Sequence, residues 1–396
     1  MSRYLVVSSD GHGGLPPGHY LDYLDPQYRE QYQANVQLQL DSARNMRRTM
    51  EIEEINKRWR AGHERELTGA WDHDERIKVL DGDGIAVEVI FPDGLTENNA
   101  PPFGAGLGIG PRGGEHETQW AGARAHNRWL AEFCQMAPER RVGVAVVPAT
   151  WDVDEAVVET RWAKQNGLGS IMIPVMWTPH DPYHHPKYDP LWTACQELEM
   201  PVNFHSGPAP QEEYWGREGG LPGGMGIFAC EAVWAVVRPL TFFIWGGVLE
   251  RFPQLKVVIT EATTSWAPGF IEHLDERYFD WHVTAKLGNY RKHLSLSPGE
   301  YFRRNIRMGT FFGRREAERR DQSGLECLMW GSDYPHPEGT WPQTHDMMLE
   351  TFKGLPDEDI AAMLGGNAAE CYGLDSEKLA PIVARIGPEK QIFQAA

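Results

Sequence analysis

The segment Cys327-Leu328-Met329-Trp330-Gly331-Ser332-Asp333-Tyr334-Pro335-His336-Pro337-Glu338 is an apolar run of strand length that stops at an aspartate, after which two prolines bar any continuation as strand or helix. Asp333 is therefore expected at the carboxyl end of a strand, where the chain opens into a loop. A lone aspartate beside proline is more often only an Asx turn. Three other stretches shift that balance, because each ends an apolar strand in a residue able to bind a metal: Tyr4-Leu5-Val6-Val7-Ser8-Ser9-Asp10-Gly11-His12, Pro201-Val202-Asn203-Phe204-His205 and Lys256-Val257-Val258-Ile259-Thr260-Glu261. Four strand ends of one design point to one site.

Apolar runs of this kind recur eight times, at residues 4–10, 85–92, 142–149, 170–175, 201–207, 256–262, 306–312 and 327–333. They are continuous rather than alternating, as strands of a parallel sheet buried on both faces require. Helical patterns separate them, at 72–81, 115–137, 152–166, 186–199, 228–250, 267–286 and 314–323. Asp152 is the expected cap of one helix, and Asp189-Pro190 opens another. Eight strands alternating with helices can close into a (β/α)8 barrel or lie open as a doubly wound sheet. The candidate ligands fall at the ends of strands one, five, six and eight, and only a closed barrel brings those ends to one mouth. The predicted fold is an α/β TIM barrel forming a single domain over residues 1–374. A long insertion at 13–71, polar and helical in its middle over 26–60, follows strand one and is expected to act as a lid or subunit interface. Gly/Pro-rich loops are expected at 93–114 and 208–227, closing helices at 343–353 and 357–372, and a tail at 375–396.

With 396 residues the chain is long for one domain, but barrels with insertions reach this size. A formal charge of -18 disfavours nucleic acid and anionic membrane, because binding them requires a cationic surface. No apolar run approaches a membrane span, and Leu5-Val6-Val7 is too short for a signal-peptide core. The five cysteines are odd in number and lack a Cys-x-x-Cys pair, so neither a disulfide framework nor a zinc ribbon is expected. A cytoplasmic, reduced protein follows, acting on a small-molecule substrate as a homodimer or larger oligomer, a paralogous subunit being one option.

Asp10 and His12 lie two apart on a strand, so both side chains should leave the same face. Joined by His205, Glu261 and Asp333, they make a five-residue set of nitrogen and oxygen donors that suits zinc, manganese or iron. Zinc is the first expectation, as one ion or two. His336 and Glu338 would face the same mouth, as substrate or second-metal contacts or as loop supports. His180, in the loop after strand four, is assigned to the site, whereas His184 and His185 are assigned to capping or packing. Trp177, Trp215, Trp266 and Trp341 sit in strand-end loops and could wall an apolar pocket, although loop tryptophans more often anchor packing. Arg238 is assigned to a structural ion pair.

Asp10-Gly11-His12 with Pro16, Tyr188-Asp189-Pro190-Leu191-Trp192 leading to Pro201-Val202-Asn203-Phe204-His205-Ser206-Gly207, Phe252-Pro253-Gln254-Leu255-Lys256, and Gly331-Ser332-Asp333-Tyr334-Pro335 together resemble the amidohydrolase-related branch of the metal-dependent amidohydrolase superfamily. That branch includes amino-carboxymuconate-semialdehyde decarboxylase and resorcylate decarboxylase. The resemblance covers nearly the whole chain and implies that Asp10, His12, His205 and Asp333 line a metal at the barrel mouth. Many members carry a histidine after strand six, where this chain has Glu261. That carboxylate could bind the metal, bridge two metals, or act as a base. The leading expectation is a metal-dependent hydrolase of a small organic acid, amide or lactone, with Asp333 as base for a metal-activated water and His205, if not a ligand, stabilising the oxyanion. The alternatives are a non-oxidative decarboxylase on the same residues and a dinuclear iron or manganese-iron oxygenase.

Overall fold

A computed structural model describes residues 2–50, 53–92, 100–106, 116–176, 180–206, 222–279 and 287–394. The strands are β1 (Val7–Ser8), β2 (His12–Gly13), β3 (Val87–Pro92), β4 (Arg141–Val146), β5 (Ser170–Met172), β6 (Val202–His205), β7 (Val257–Thr260), β8 (Ile306–Thr310) and β9 (Leu328–Trp330). Every ladder is parallel, and the order is β1-β3-β4-β5-β6-β7-β8-β9, with β2 also on β3. The last strand returns to the first: Ser9 N–H donates to the Trp330 carbonyl at 2.9 Å, Asp333 N–H to that of Asp10 at 2.8 Å and His12 N–H to that of Tyr334 at 2.7 Å. This is the expected eight-stranded barrel with its helices outside.

Barrel strand one comprises β1 and β2 together, and it contains a bulge. Ser8 is opposite Glu88 and His12 opposite Phe91, so four steps along strand one match three along β3. One extra residue inverts the facing of everything beyond it. Val6 packs with the helix layer and Val7 with the barrel interior, so an unbroken strand would turn Asp10 and His12 outward with Val6. The bulge turns them in. Asp10 and His12 do share a face, but through this phase change and not through simple alternation.

Elsewhere the alternation is regular. Val87, Val89, Phe91, Val144, Val146, Met172, Val258 and Met329 fill the barrel, while Ile90, Ala145, Ile171, Phe204, Ile259, Met308 and Trp330 face the helices. Most strands stop two or three residues before the apolar run does. Beyond β7 and β9 the chain leaves the ladder, with Glu261 and Asp333 at φ 52 and 59. Left-handed backbone is costly for such residues and concentrates at functional sites.

The helices fall close to their predicted places: His73–Asp83, His116–Gln135, Val153–Gln165, Gly224–Trp245, Ala267–Phe279 and Thr344–Phe352. Asp152 does cap its helix, accepting from the Glu155 N–H at 2.9 Å. Asp189 does not cap the helix it begins; its carboxylate pairs with Arg251 at 2.8 Å. Residues 280–286 and most of the two Gly/Pro-rich loops lie outside the described residues. The insertion is helical over Arg29–Met50, Glu53–Gly62 and Glu64–Leu67. Residues 375–396, read from sequence as a tail, instead form the helices Ser376–Ile386 and Lys390–Gln394, and Leu379, Val383 and Phe393 are buried against the barrel. Three buried apolar side chains in so short a segment are too many for a solvated tail. No helix among the described residues is long and apolar enough to cross a membrane.

Candidate metal centre

Asp10, His12, His205 and Asp333 meet at the carboxyl end of the barrel, all fully buried. His12 is held by its main chain in the bulge, and its Nδ1 donates to the Pro92 carbonyl at 3.0 Å. His205 ends β6, and its Nδ1 donates to the Ser206 carbonyl at 2.8 Å. Both rings are thereby fixed in the tautomer that leaves Nε2 as a lone pair facing the site. Each Nε2 lies 3.6 Å from Asp10 Oδ1, and that of His12 is 3.2 Å from Asp333 Oδ1. The Phe91 ring, 4.8 Å from that of His205, closes one side with apolar surface.

These are donor atoms without donors of a hydrogen. Both oxygens of Asp10, both of Asp333, and Nε2 of His12 and His205 are buried with no hydrogen-bond partner. Buried polar groups are almost always satisfied, and an unpaired buried carboxylate is especially costly. Lone pairs converging from two carboxylates and two imidazoles fit a cation. Burial and the neighbouring His336 ring oppose a charge on His12, yet the Asp10 and Asp333 carboxylates overcome both and raise its pKa to about 10. Burial likewise opposes the Asp333 charge, but His336 and His12 hold its carboxyl well below the ordinary range. The pocket selects positive charge, as a proton or as a metal.

His336 joins this group, with Nδ1 3.0 Å from Asp333 Oδ1 and its ring stacked on His12 at 3.9 Å. Glu261 lies at the edge. Its Oε2 is 3.3 Å from His205 Nδ1 and accepts from the Ser206 hydroxyl, so it borders the far side of that ring from Asp10. Burial, then the Asp333 carboxylate, raise its pKa to about 7. Glu261, Asp333, His336 and the exposed Glu338 form a second group whose donor atoms all lie within 4.8 Å of one another.

The remaining candidates do not join these groups. Trp266 is buried against Phe270 and Phe302, with Nε1 donating to the Thr263 carbonyl, which is a core contact. Trp341 is buried on Tyr334 and Trp59. His180 lies beside Trp151, 6.3 Å between ring centres. His184 packs on Phe242, and His185 Nδ1 accepts from the Lys187 N–H as a cap. Arg238 stands exposed on its helix, with no ion-pair partner among the described residues, so the structural ion pair assigned to it is absent there. Trp177 and Trp215 lie outside the described residues.

Arg76 went unrecognised in the sequence. It is fully buried, its Nη1 donates to the His12 carbonyl at 2.6 Å and the Gly69 carbonyl at 3.1 Å, and Nε and Nη2 grip Glu88 at 2.6–2.9 Å. Arg141 Nε adds a further contact to Glu88 at 3.5 Å. The only sequence signal was Glu88 itself, a charge inside an otherwise apolar strand.

The amidohydrolase family model matches residues 66–374. A 2-amino-3-carboxymuconate-6-semialdehyde decarboxylase of Dictyostelium discoideum is 24% identical over 328 residues, covering 78% of this chain and 79% of that protein. The crystal structure of 5-carboxyvanillate decarboxylase LigW from Sphingomonas paucimobilis superposes with a TM-score of 0.64 at 20% identity, over 94% of this chain and 100% of that one. A 5-carboxyvanillate decarboxylase from Novosphingobium aromaticivorans, complexed with manganese and 4-hydroxy-3-methoxy-5-nitrobenzoic acid, superposes with a TM-score of 0.63 at 17% identity, over 94% and 97%. With a family match across most of its length and a buried donor set that fits a divalent cation, the chain belongs to the amidohydrolase family and is a metal-dependent enzyme of that superfamily.

Proposed function

We propose that the protein is a non-oxidative decarboxylase of a small carboxylic acid whose carboxylate is attached to a conjugated or aromatic carbon. This replaces hydrolysis of an amide or lactone as the leading reading, because the named relatives are decarboxylases. The observation that carries the chemistry is the placement of Asp333, fully buried, with Oδ1 3.2 Å from His12 and 3.0 Å from His336. Asp10, His12 and His205 would hold a divalent ion, with Asp333 beside it. Imidazole and carboxylate donors suit zinc, manganese or iron, and the manganese in a relative favours that ion over the zinc first expected. When bound, the ion supplies a positive charge on which a carboxylate and a neighbouring oxygen can be oriented.

The chain's own groups do the rest. His12 and His205 are fixed through their Nδ1–H bonds to main-chain carbonyls, and with both Nε2 atoms turned to the ion neither would offer a competing proton. Asp333, buried where the donor groups meet and with His336 holding its orientation, would relay a proton to the carbon that bears the carboxylate. The bond to the carboxylate then breaks, its electron pair restores the conjugated system, and CO2 leaves. One proton is consumed per carboxylate and no oxidant is needed. Phe91 excludes water from one flank. Five free thiols fit the reducing, cytoplasmic setting expected of such an enzyme.

The test uses manganese-loaded protein and a panel of carboxyl-13C hydroxybenzoates and conjugated dienoic acids, followed for labelled CO2 under nitrogen and in D2O. Release should be independent of oxygen, with one deuterium in the product at the former carboxylate carbon. Asp333→Asn should lower turnover by about 10²–10⁴, the usual worth of a proton-transfer group, while keeping the fold. Hydrolysis of an amide or lactone without any CO2 release, or a strict need for oxygen, would overturn the assignment.

A further inference from the structure

The described residues contain more cation-binding capacity than one ion uses. We infer that this chain carries a second divalent-cation site beside the first, formed by Glu261, Asp333, His336 and Glu338, with the Asp333 carboxylate shared between the two. The inference rests on the reading that Asp10, His12 and His205 hold the first ion.

Geometry is the first argument. Glu261 leaves β7, while Asp333, His336 and Glu338 follow β9, and the two strand ends, on either side of β8, bring one donor atom from each residue within 4.8 Å of the rest. This group shares no residue with Asp10, His12 and His205, which form a group of their own. Asp333 belongs between them: its Oδ1 is 3.2 Å from His12 Nε2 on one side and 3.0 Å from His336 Nδ1 on the other. Both Asp333 oxygens are buried without a hydrogen-bond partner, so two lone-pair sets remain to be satisfied. A carboxylate whose Oδ1 touches an imidazole of each group, with Oδ2 still without a partner, sits where two ions can share it.

Charge is the second argument. Asp10, Asp333, Glu261 and Glu338 bring four carboxylates to one pocket, and three of them are largely or wholly buried. One divalent ion balances only two. In a water-poor site the surplus is costly, and no Lys or Arg is ion-paired to any of the four among the described residues. A second divalent ion balances the set.

Donor chemistry then names the ion. Three carboxylates with one imidazole are hard donors, which favour Mn(II) or Fe(II) over softer ions. The first group, with two imidazoles to one carboxylate of its own, is the more nitrogen-rich of the pair.

The experiment is a titration of chelator-stripped full-length protein with Mn(II), read by calorimetry and by low-temperature EPR. Two Mn(II) per chain should bind, and the second should replace an isolated six-line spectrum with the broadened signal of an exchange-coupled pair. The double variant Glu261→Gln with Glu338→Gln should bind one Mn(II) and keep the isolated spectrum. Glu338→Gln alone, at an exposed position, guards against a folding defect and should weaken only the second equivalent, by tenfold or more. Saturation of the wild type at one Mn(II), with His336 protonated in place of the second ion, overturns the inference; so does a full two equivalents in the double variant. Stoichiometry and CO2 release fail separately, so a one-ion decarboxylase and a two-ion protein without decarboxylation are told apart.

Discussion

Arg76 uses all three guanidinium nitrogens in the interior: Nε and Nη2 on Glu88, and Nη1 on the main-chain carbonyls of His12 and Gly69. Its flat face lies 5.1 Å from the centre of the Tyr334 ring, one residue beyond Asp333. A single buried cation thus touches the backbone that carries one candidate ligand and the side chain next to another. Removing one partner of a buried pair costs about 3–5 kcal/mol, because the other charge is stranded. Arg76→Met should therefore destabilise strongly, and adding Glu88→Gln should restore much of the melting temperature. Metal affinity should not recover in that double variant, since nothing then holds the His12 carbonyl. Arg76→Lys keeps the charge but not the fork, and should fold while binding Mn(II) at least tenfold more weakly. Unchanged affinity in Arg76→Lys would make the residue merely structural. Asp10, His12, His205 and Asp333 were legible in the sequence because their types are rare at the ends of apolar runs. Arg76, the Pro92 carbonyl and Ser206 were not, because a helix arginine, a main-chain oxygen and a serine after a histidine look ordinary until the chain folds.

At the scale of elements, the bulge in strand one decides whether the site exists. Spacing alone predicted that Asp10 and His12 share a face, but it could not tell which face, since an inserted residue has no signature in so short a run. Gly331 provides room for that bulge across the barrel seam. A Cβ there would lie 2.6 Å from the Asp10 Cβ and 3.0 Å from its N, closer than such atoms approach. Gly331→Ala must therefore push Asp10 away or part the seam. Overpacking of this kind costs about 1–3 kcal/mol, so the barrel should still fold. Metal content per folded chain, measured by mass spectrometry on the monodisperse fraction, should fall sharply. Retention of wild-type metal content would show that Asp10 is not held by this contact. The strands proved shorter than their apolar runs for a related reason. Hydrophobicity marks burial, not pairing, and past β4, β5, β7 and β9 buried residues such as Val147, Ile173, Ala262 and Ser332 lie beyond the strand ends and shape the mouth.

Across the whole molecule the two ends of the barrel do different work, and the convergence of strand ends on one mouth was the part of the fold that the sequence carried best. The mouth gathers unsatisfied donors, and the insertion leans on it: Tyr334 donates to the Glu66 carbonyl, and Trp59 and His63 pack on Trp341 at 5.9 and 4.8 Å between ring centres. We read the insertion as a lid on these contacts. The opposite end is closed by the segment that composition had marked only as a tail. Tyr4 N–H donates to the Pro388 carbonyl at 3.0 Å, Lys390 N–H to that of Ser2 at 3.0 Å and Gly354 N–H to that of Phe393 at 2.7 Å. Phe393 itself is buried, edge-on to Tyr4 at 5.4 Å. Conservation of stability at this end and of chemistry at the other is the usual division in such barrels. Phe393→Ala empties a buried aromatic position, which costs about 3–5 kcal/mol. The variant should therefore unfold at lower denaturant concentration with little change in the slope of the transition. Because the site lies at the far mouth, metal stoichiometry and turnover per folded chain should stay at wild-type values. A loss of metal in protein that is still fully folded would mean that the two ends are mechanically coupled, and that the closing helices set the geometry of strand one as well as its stability.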